Sequence, residues 1–504
     1  MVNYTMVNYQ THTSMKIYLF KKAKAPIASA FIAGAALLTG YGENALDFNW
    51  GADLRLRQEI MDNVPGNPGD PYAVMPSVRS KNKNHIRIRP RFWFEISNEN
   101  FRLYTRLANE VREHLVENGQ KRKKRAYNFP DEVFVDNLFL EGKDLESSWL
   151  KEIGIASLDF KFGRQDLYGK DGSTLGLQRI MGEGTPLDGS RSFFADMAWT
   201  TLNLKNDNTI DLFALYCSGR NELRWGDRKS TGRPLNPLNM ADTDMDEWGG
   251  GIIYSGHIID EVLPFKVYSI FKRSGSYETL TKTPRRMPAK EVTTVGLLLT
   301  PEFSDTWGME AEVAKQFGRL LSGNRQAGGY MGHLELKYRP QMLKEYKTTI
   351  SLASTYYSGD KHRTGADDND TSWDPMWARH TQESELLVYG SLYGNCYWSN
   401  MIYSKIKLTM SFGKYHALYA YTGPMFTAVQ DNLGHTDKVG HSMYKGMLSA
   451  ARYDFPIRIA PEGAYGIDRI EMFGHIVGEV FNPGDYYETG KPSYFLRLEF
   501  QIKF

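Results

Sequence analysis

Arginine recurs at every second position in several stretches of this chain. Arg87, Arg89 and Arg91 alternate with Ile86, Ile88 and Phe92. Arg55 and Arg57 flank Leu56, while Arg102, Arg106, Arg452, Arg458 and Arg497 stand in segments of the same pattern. A guanidinium is a planar fork of donors that stays charged at every relevant pH and suits a carboxylate held by two bonds. A row of such groups on one face can hand an acidic solute along, provided no position binds it too tightly. The same residues can instead pair with Asp53, Glu95, Glu110, Asp159 and Glu499 and brace neighbouring strands. For any single arginine the sequence leaves both roles open.

Other chemistry finds little support. There are eleven histidines but no HExxH, no G-x-S-x-G and no other recognisable catalytic spacing. No enzyme is expected; a membrane-embedded hydrolase is the weaker alternative. Cys217 and Cys396 show neither CxxC nor zinc spacing, so two unpaired cysteines are expected, although an oxidising compartment would permit one disulfide. Asp360, Asp367, Asp368 and Asp370 supply oxygen ligands of the kind calcium takes. They lack the EF-hand order, and an exposed acidic loop is the default. No cofactor, no resident metal and no nucleic-acid partner is implied.

The elements that must carry the arginines are strands. From about residue 46 the chain alternates apolar and polar residues between breaks rich in Gly, Pro, Asn and Asp. In the last segment Tyr494, Leu496, Leu498, Phe500, Ile502 and Phe504 alternate with Phe495, Arg497, Glu499, Gln501 and Lys503. One set can face lipid and the other a wet lumen. Three arginines at 87, 89 and 91 on the lipid face would each cost about 2–4 kcal/mol at the midplane, which turns them inward. Aromatic residues make up 13% of the chain, with 30 tyrosines, as expected where rings gather in girdles at two membrane interfaces. The fold expected is all-β, a single antiparallel transmembrane barrel of about 18 strands (range 16–18). It occupies residues 46–504, with long loops near 114–133 and 358–398. The first of these holds the basic run Lys121–Arg125.

The start of the chain reads as an address. Residues 1–14 look like an upstream extension. Met15 opens a basic stretch with Lys16, Lys21, Lys22 and Lys24, followed by an apolar run from Ala25 to Leu38 and small residues around Gly40. That order is a secretory signal peptide, expected over 15–45, and the run is too short for a spanning helix. The formal net charge is +2; without the leader's four lysines the remainder is close to balance. Any basic character must therefore come from where charges sit.

Several segments together resemble the alginate-export family of outer-membrane barrels. They are Asp136-Asn137-Leu138-Phe139-Leu140-Glu141, Phe162-Gly163-Arg164-Gln165-Asp166-Leu167-Tyr168-Gly169, and Leu187-Asp188-Gly189-Ser190-Arg191. Ser358-Gly359-Asp360 with Trp373-Asp374-Pro375, and Pro483-Gly484-Asp485-Tyr486-Tyr487, follow in order. The resemblance implies an outer-membrane location and an 18-stranded monomer whose basic lumen passes an anionic polysaccharide by passive diffusion. It also places Arg164 and Arg191 toward the interior, where the alternative is a turn clamp on Asp166 or Asp188. The lumenal set expected to meet solute is Arg87, Arg89, Arg91, Arg106, Arg164, Arg191, Arg452, Arg458 and Arg497. The expected partners are outer-membrane lipid, an anionic saccharide or small solute, and the barrel-insertion machinery acting on the strand that ends at Phe504. A general small-solute porin is the alternative function.

Overall fold

The computed structural model describes residues 46–63, 82–117, 120–128, 133–166, 177–181, 195–217, 224–225, 246–259, 262–278, 286–287, 289–321, 325–361, 369–377, 384–386, 399–413, 416–430, 442–457, 470–487 and 491–504. The signal peptide, Arg191, Arg458, Asp367, Asp368 and Cys396 lie outside these residues, and with Cys396 any judgement on a disulfide.

Eighteen long strands form the wall. They are β1 (Asp47–Asp62), β2 (Lys83–Ser97), β3 (Phe101–Ala108), β4 (Val133–Leu145), β5 (Ile155–Gln165) and β6 (Ala195–Leu204). Next come β7 (Thr209–Cys217), β8 (Glu247–His257), β9 (Pro264–Ser274), β10 (Lys290–Leu299), β11 (Trp307–Leu320) and β12 (Tyr330–Tyr338). The set ends with β13 (Thr349–Tyr357), β14 (Met401–Ser411), β15 (Ala417–Phe426), β16 (Tyr444–Pro456), β17 (Glu471–Pro483) and β18 (Ser493–Lys503). Each pairs antiparallel with its neighbours in chain order, and β1 pairs with both β2 and β18. That last pairing, from Asp53 opposite Lys503 to Asp62 opposite Tyr494, closes the sheet and leaves no edge. The expected barrel is therefore borne out, at the upper strand count.

The alternation that signalled strands also sorts the two faces. On β18, Ser493, Phe495, Arg497, Glu499 and Gln501 are buried, while Tyr494, Leu496, Leu498 and Phe500 stand exposed on the outside. The outer face is apolar on strand after strand, as with Ile252, Val295, Val313, Leu334, Leu352 and Ile406. Exposed rings gather at its two ends: Trp248, Phe317, Tyr330 and Tyr494 at one, Phe48, Trp50, Trp307 and Phe412 at the other. No described helix is long and apolar enough to cross a membrane; crossing is by strands.

The two ends of the barrel differ. One carries both ends of the wall and the connections 98–100, 146–154, 205–208, 258–263, 300–306, 339–348, 412–416 and 457–470. Most are tight: Asn98 accepts from the backbone N–H of Asn100 and Phe101, an Asx-type turn. The other end carries the longer connections, including 63–82, 166–194, 218–246 and 358–400.

At that end the region read as a long loop near 114–133 is partly strand. Val111–Glu117 continues β3 past a break at 109–110 and pairs with β2, and Gln120–Asn128 pairs back on it. The basic run at 121–125 thus lies in a hairpin. Antiparallel pairing supplies its backbone bonds although it has no apolar alternation to announce a strand.

Candidate functional site

The lumen beside β1, β2 and β18 is a lattice of charge. Register sets Arg55 opposite Arg89 and Arg57 opposite Arg87. Like charges directly opposite one another repel, so the arrangement requires carboxylates between them. Three are supplied. Glu59 accepts from Arg57, His85 and Arg497, at 3.4, 2.7 and 2.6 Å. Glu499, opposite Arg57 on β18, takes that guanidinium at 2.5 Å. Glu110 stands where the backbone leaves the ladder beyond β3, and it takes Arg87 at 2.8 Å and Arg55 at 3.3 Å.

The lattice continues around the wall. Arg91 pairs with Asp53 at 2.8 Å and lies 4.0 Å from Asp136. Arg106 pairs with Asp136 at 2.6 Å and Asp166 at 3.2 Å, and Asn137 donates to Asp166. Arg102 joins Glu95 and Glu141. Of the carboxylates named as braces, Asp53, Glu95, Glu110 and Glu499 take arginines; Asp159 instead accepts from the backbone N–H of Asp144. Arg164 is clamped by Asp196 at 2.9 Å and donates to the Val135 carbonyl. Asp166 is taken by Arg106 and Asn137 instead, and Asp188 lies outside the described residues. Gly163 just before it has φ +125°, and a Cβ there would meet the Leu138 carbonyl at 2.2 Å, so only glycine lets β4 and β5 approach this closely.

Among these arginines Arg89 is the exception. It is 2% exposed, its Nε has no hydrogen-bond partner, and no described carboxylate lies within ion-pair distance. Arg102 and Arg452 are the reverse case, with side chains 34% and 47% exposed toward the short-turn end of the lumen. Arg452 is steadied by Asp454 at 2.8 Å.

Toward the long-loop end the lumen is filled by chain. The short helix Gln178–Met181 turns Leu177, Ile180 and Met181 onto the inner wall. Its Arg179 reaches across to Glu310 and Glu312 on β11, both at 2.7 Å. Residues 369–377 fold in beside it, with Trp373, Met376 and Trp377 buried and the backbone N–H of Trp377 donating to the Ile180 carbonyl. Each such side chain contributes about 1.5–3 kcal/mol by leaving water.

Asp374 fixes that segment: it receives Lys272 of β9 at 2.5 Å and lies 3.7 Å from Lys290 of β10. Burial alone would raise the Asp374 carboxyl, but the two ammoniums outweigh it and hold it below the ordinary carboxylate range. A third piece, 384–386, is held by Glu479 of β17, which accepts from Ser384 Oγ and from the N–H groups of Glu385 and Leu386. Arg497 pairs with Glu385 at 2.7 Å.

Asp370 is bound to Lys290 and Ser372, and among the described residues no His, Cys, Asp and Glu cluster could hold a metal. Sequence reasoning passed over Glu59, Arg179, Lys272 and Glu385. Glu59 ends the alternating run that begins at Asp53, which is a usable signal; the other three depend on how loops fold back.

A closed antiparallel barrel with an apolar outer band, two aromatic girdles and a charged lumen is a transmembrane β-barrel of the outer-membrane type. No family model and no curated protein matches the chain. Among solved structures it is similar to Pseudomonas aeruginosa OccK7 (OpdD), at 10% identity and TM-score 0.49, covering 91% of this chain and 99% of that one. A BenF-like porin from Pseudomonas fluorescens Pf-5 gives 10% identity and TM-score 0.49, covering 91% and 98%. Pseudomonas aeruginosa OpdO gives 9% and 0.46, covering 90% and 97%.

Proposed function

We propose that the chain is a passive outer-membrane channel for small hydrophilic solutes, narrowed by its own in-folded loops and walled by arginines whose charge is largely met by carboxylates. The observation that carries this reading is the lattice: Arg55, Arg57, Arg87, Arg91, Arg102, Arg106 and Arg497 each have a carboxylate within 4.0 Å or less. Such a wall is hydrated and polar but presents little net charge to a passing ion.

A second reading, passage of acidic solutes such as uronic-acid oligomers, is favoured by Arg89 and by the two exposed guanidiniums at the short-turn mouth. The alginate-export resemblance of residues 136–141 and 162–169 points the same way.

Liposome swelling separates them. Vesicles holding the refolded barrel should admit a neutral hexose and a hexuronic acid of similar size at comparable rates. A clear preference for the uronic acid would favour the second reading, and admission of neither would contradict both.

A further inference from the structure

The outer face carries one patch of charge at the long-loop rim that a purely apolar lipid contact does not explain. Register places Trp248 of β8 opposite Arg273 of β9, Arg273 opposite Glu291 of β10, and Glu291 opposite Arg319 of β11. All four share the outward parity of Ile252, Val267, Val295 and Val313. Glu291 serves two guanidiniums at once, Arg273 Nη1 at 3.1 Å and Arg319 Nε at 2.9 Å.

Four residues below Arg319 and also outward, Lys315 holds its ammonium 4.9 Å from the Phe317 ring centroid and 5.2 Å from that of Tyr330, with no described carboxylate in ion-pair range. Among the described residues, three cations therefore share one carboxylate. Nearby Asp246 is engaged by the Tyr216 hydroxyl on the far side of Trp248. At the opposite rim Arg339 is matched by two hydrogen bonds to Glu302, at 2.6 and 2.8 Å.

We infer that Lys315, Arg273 and Arg319 form a docking site for the phosphate of a phosphorylated lipid headgroup in the leaflet at the long-loop end. Cations set among girdle aromatics lie at headgroup depth, where an anionic headgroup supplies the missing counter-charge. Glu291 holds the two guanidiniums side by side, leaving their outer N–H groups as a fork for phosphate oxygens. The ammonium over Phe317 and Tyr330 adds a third donor on a pre-ordered stem. The acyl chains would lie on the apolar band below, at Val295 and Val313.

The test uses the full refolded barrel in neutral detergent. It is titrated with a diphosphorylated, hexa-acylated glucosamine disaccharide lipid and, separately, with its dephosphorylated form, bound lipid being counted by native mass spectrometry. The phosphorylated lipid should bind more tightly, and the triple variant R273Q/K315Q/R319Q should lose that preference. The single K315Q should weaken it about fivefold, the share of one interfacial cation. Lys161 of β5, set opposite the buried Glu141 and over the buried Phe139 ring, faces inward, and the control K161Q should behave as the parent. Equal binding of the two lipids by the parent, or an undiminished preference in K315Q, would overturn the inference. Heat-shifted gel migration reports whether each variant is folded, and the single variant preserves the test if the triple one fails to insert.

Discussion

Glu110 and Arg89 belong to the same lattice and are expected to respond oppositely to neutralisation. Glu110 holds Arg55 and Arg87, so Glu110→Gln removes the nearest carboxylate of two buried guanidiniums and leaves them only Glu499 at 3.9 Å and Glu59 at 3.6 Å. Breaking a buried pair costs about 3–5 kcal/mol, which should appear as a lower urea midpoint for the refolded barrel. Arg89 has an unmet Nε and no ion pair among the described residues, so Arg89→Met removes an uncompensated buried charge. Its urea midpoint should equal or exceed the parent's; a large loss would mean that Arg89 is braced after all. At Gly163, where φ is +125° and a Cβ would strike the Leu138 carbonyl, Gly163→Ala should cost at least about 1 kcal/mol. The same unfolding measurement would show it.

In the proposed channel, the element that would narrow the lumen is the in-folded segment around Asp374. It is held to the wall by Lys272 and Lys290 and to the neighbouring helix by the Trp377–Ile180 bond. Because Asp374 is held below the ordinary carboxylate value near 3.9, its contribution is fully present above about pH 4. It fades as pH falls through the depressed value. Single-channel conductance should therefore be steady between about pH 5 and 8 and change only in stronger acid. Asp374→Asn should show the acid behaviour already at neutral pH; an unchanged trace would detach the segment from any role in the constriction.

Such inward folding was the part least legible in the sequence. Strand alternation announced β1, β2, β16 and β18, because one face of each meets lipid and must be apolar. The Gln120–Asn128 hairpin and the 369–377 inlay answer to pairing partners and to lysines on strands far away in sequence. Residues 136–141, 162–166, 373–375 and 483–487 were singled out as segments of a resemblance. In the structure they supply Asp136, Asp166, Asp374 and the buried Tyr486 and Tyr487, which fix loops and wall to one another.

At the scale of the whole molecule, eighteen strands close one barrel whose two mouths differ: packed loops at one end, exposed Arg102 and Arg452 at the other. The arginine periodicity was legible, but its electrostatic meaning was not. Whether a guanidinium is met depends on residues such as Glu110 and Glu385, which reach the lumen only through the folded path of the chain. The central claim is a conducting lumen with a charge-compensated wall. Reversal potential across a planar bilayer under a KCl gradient tests it most directly, with the parent beside a variant neutralised at Arg87, Arg89 and Arg91. Discrete conductance steps and a parent reversal potential near zero are the expected result. A strongly anion-selective potential that collapses in the variant, or no conductance at all, would contradict it.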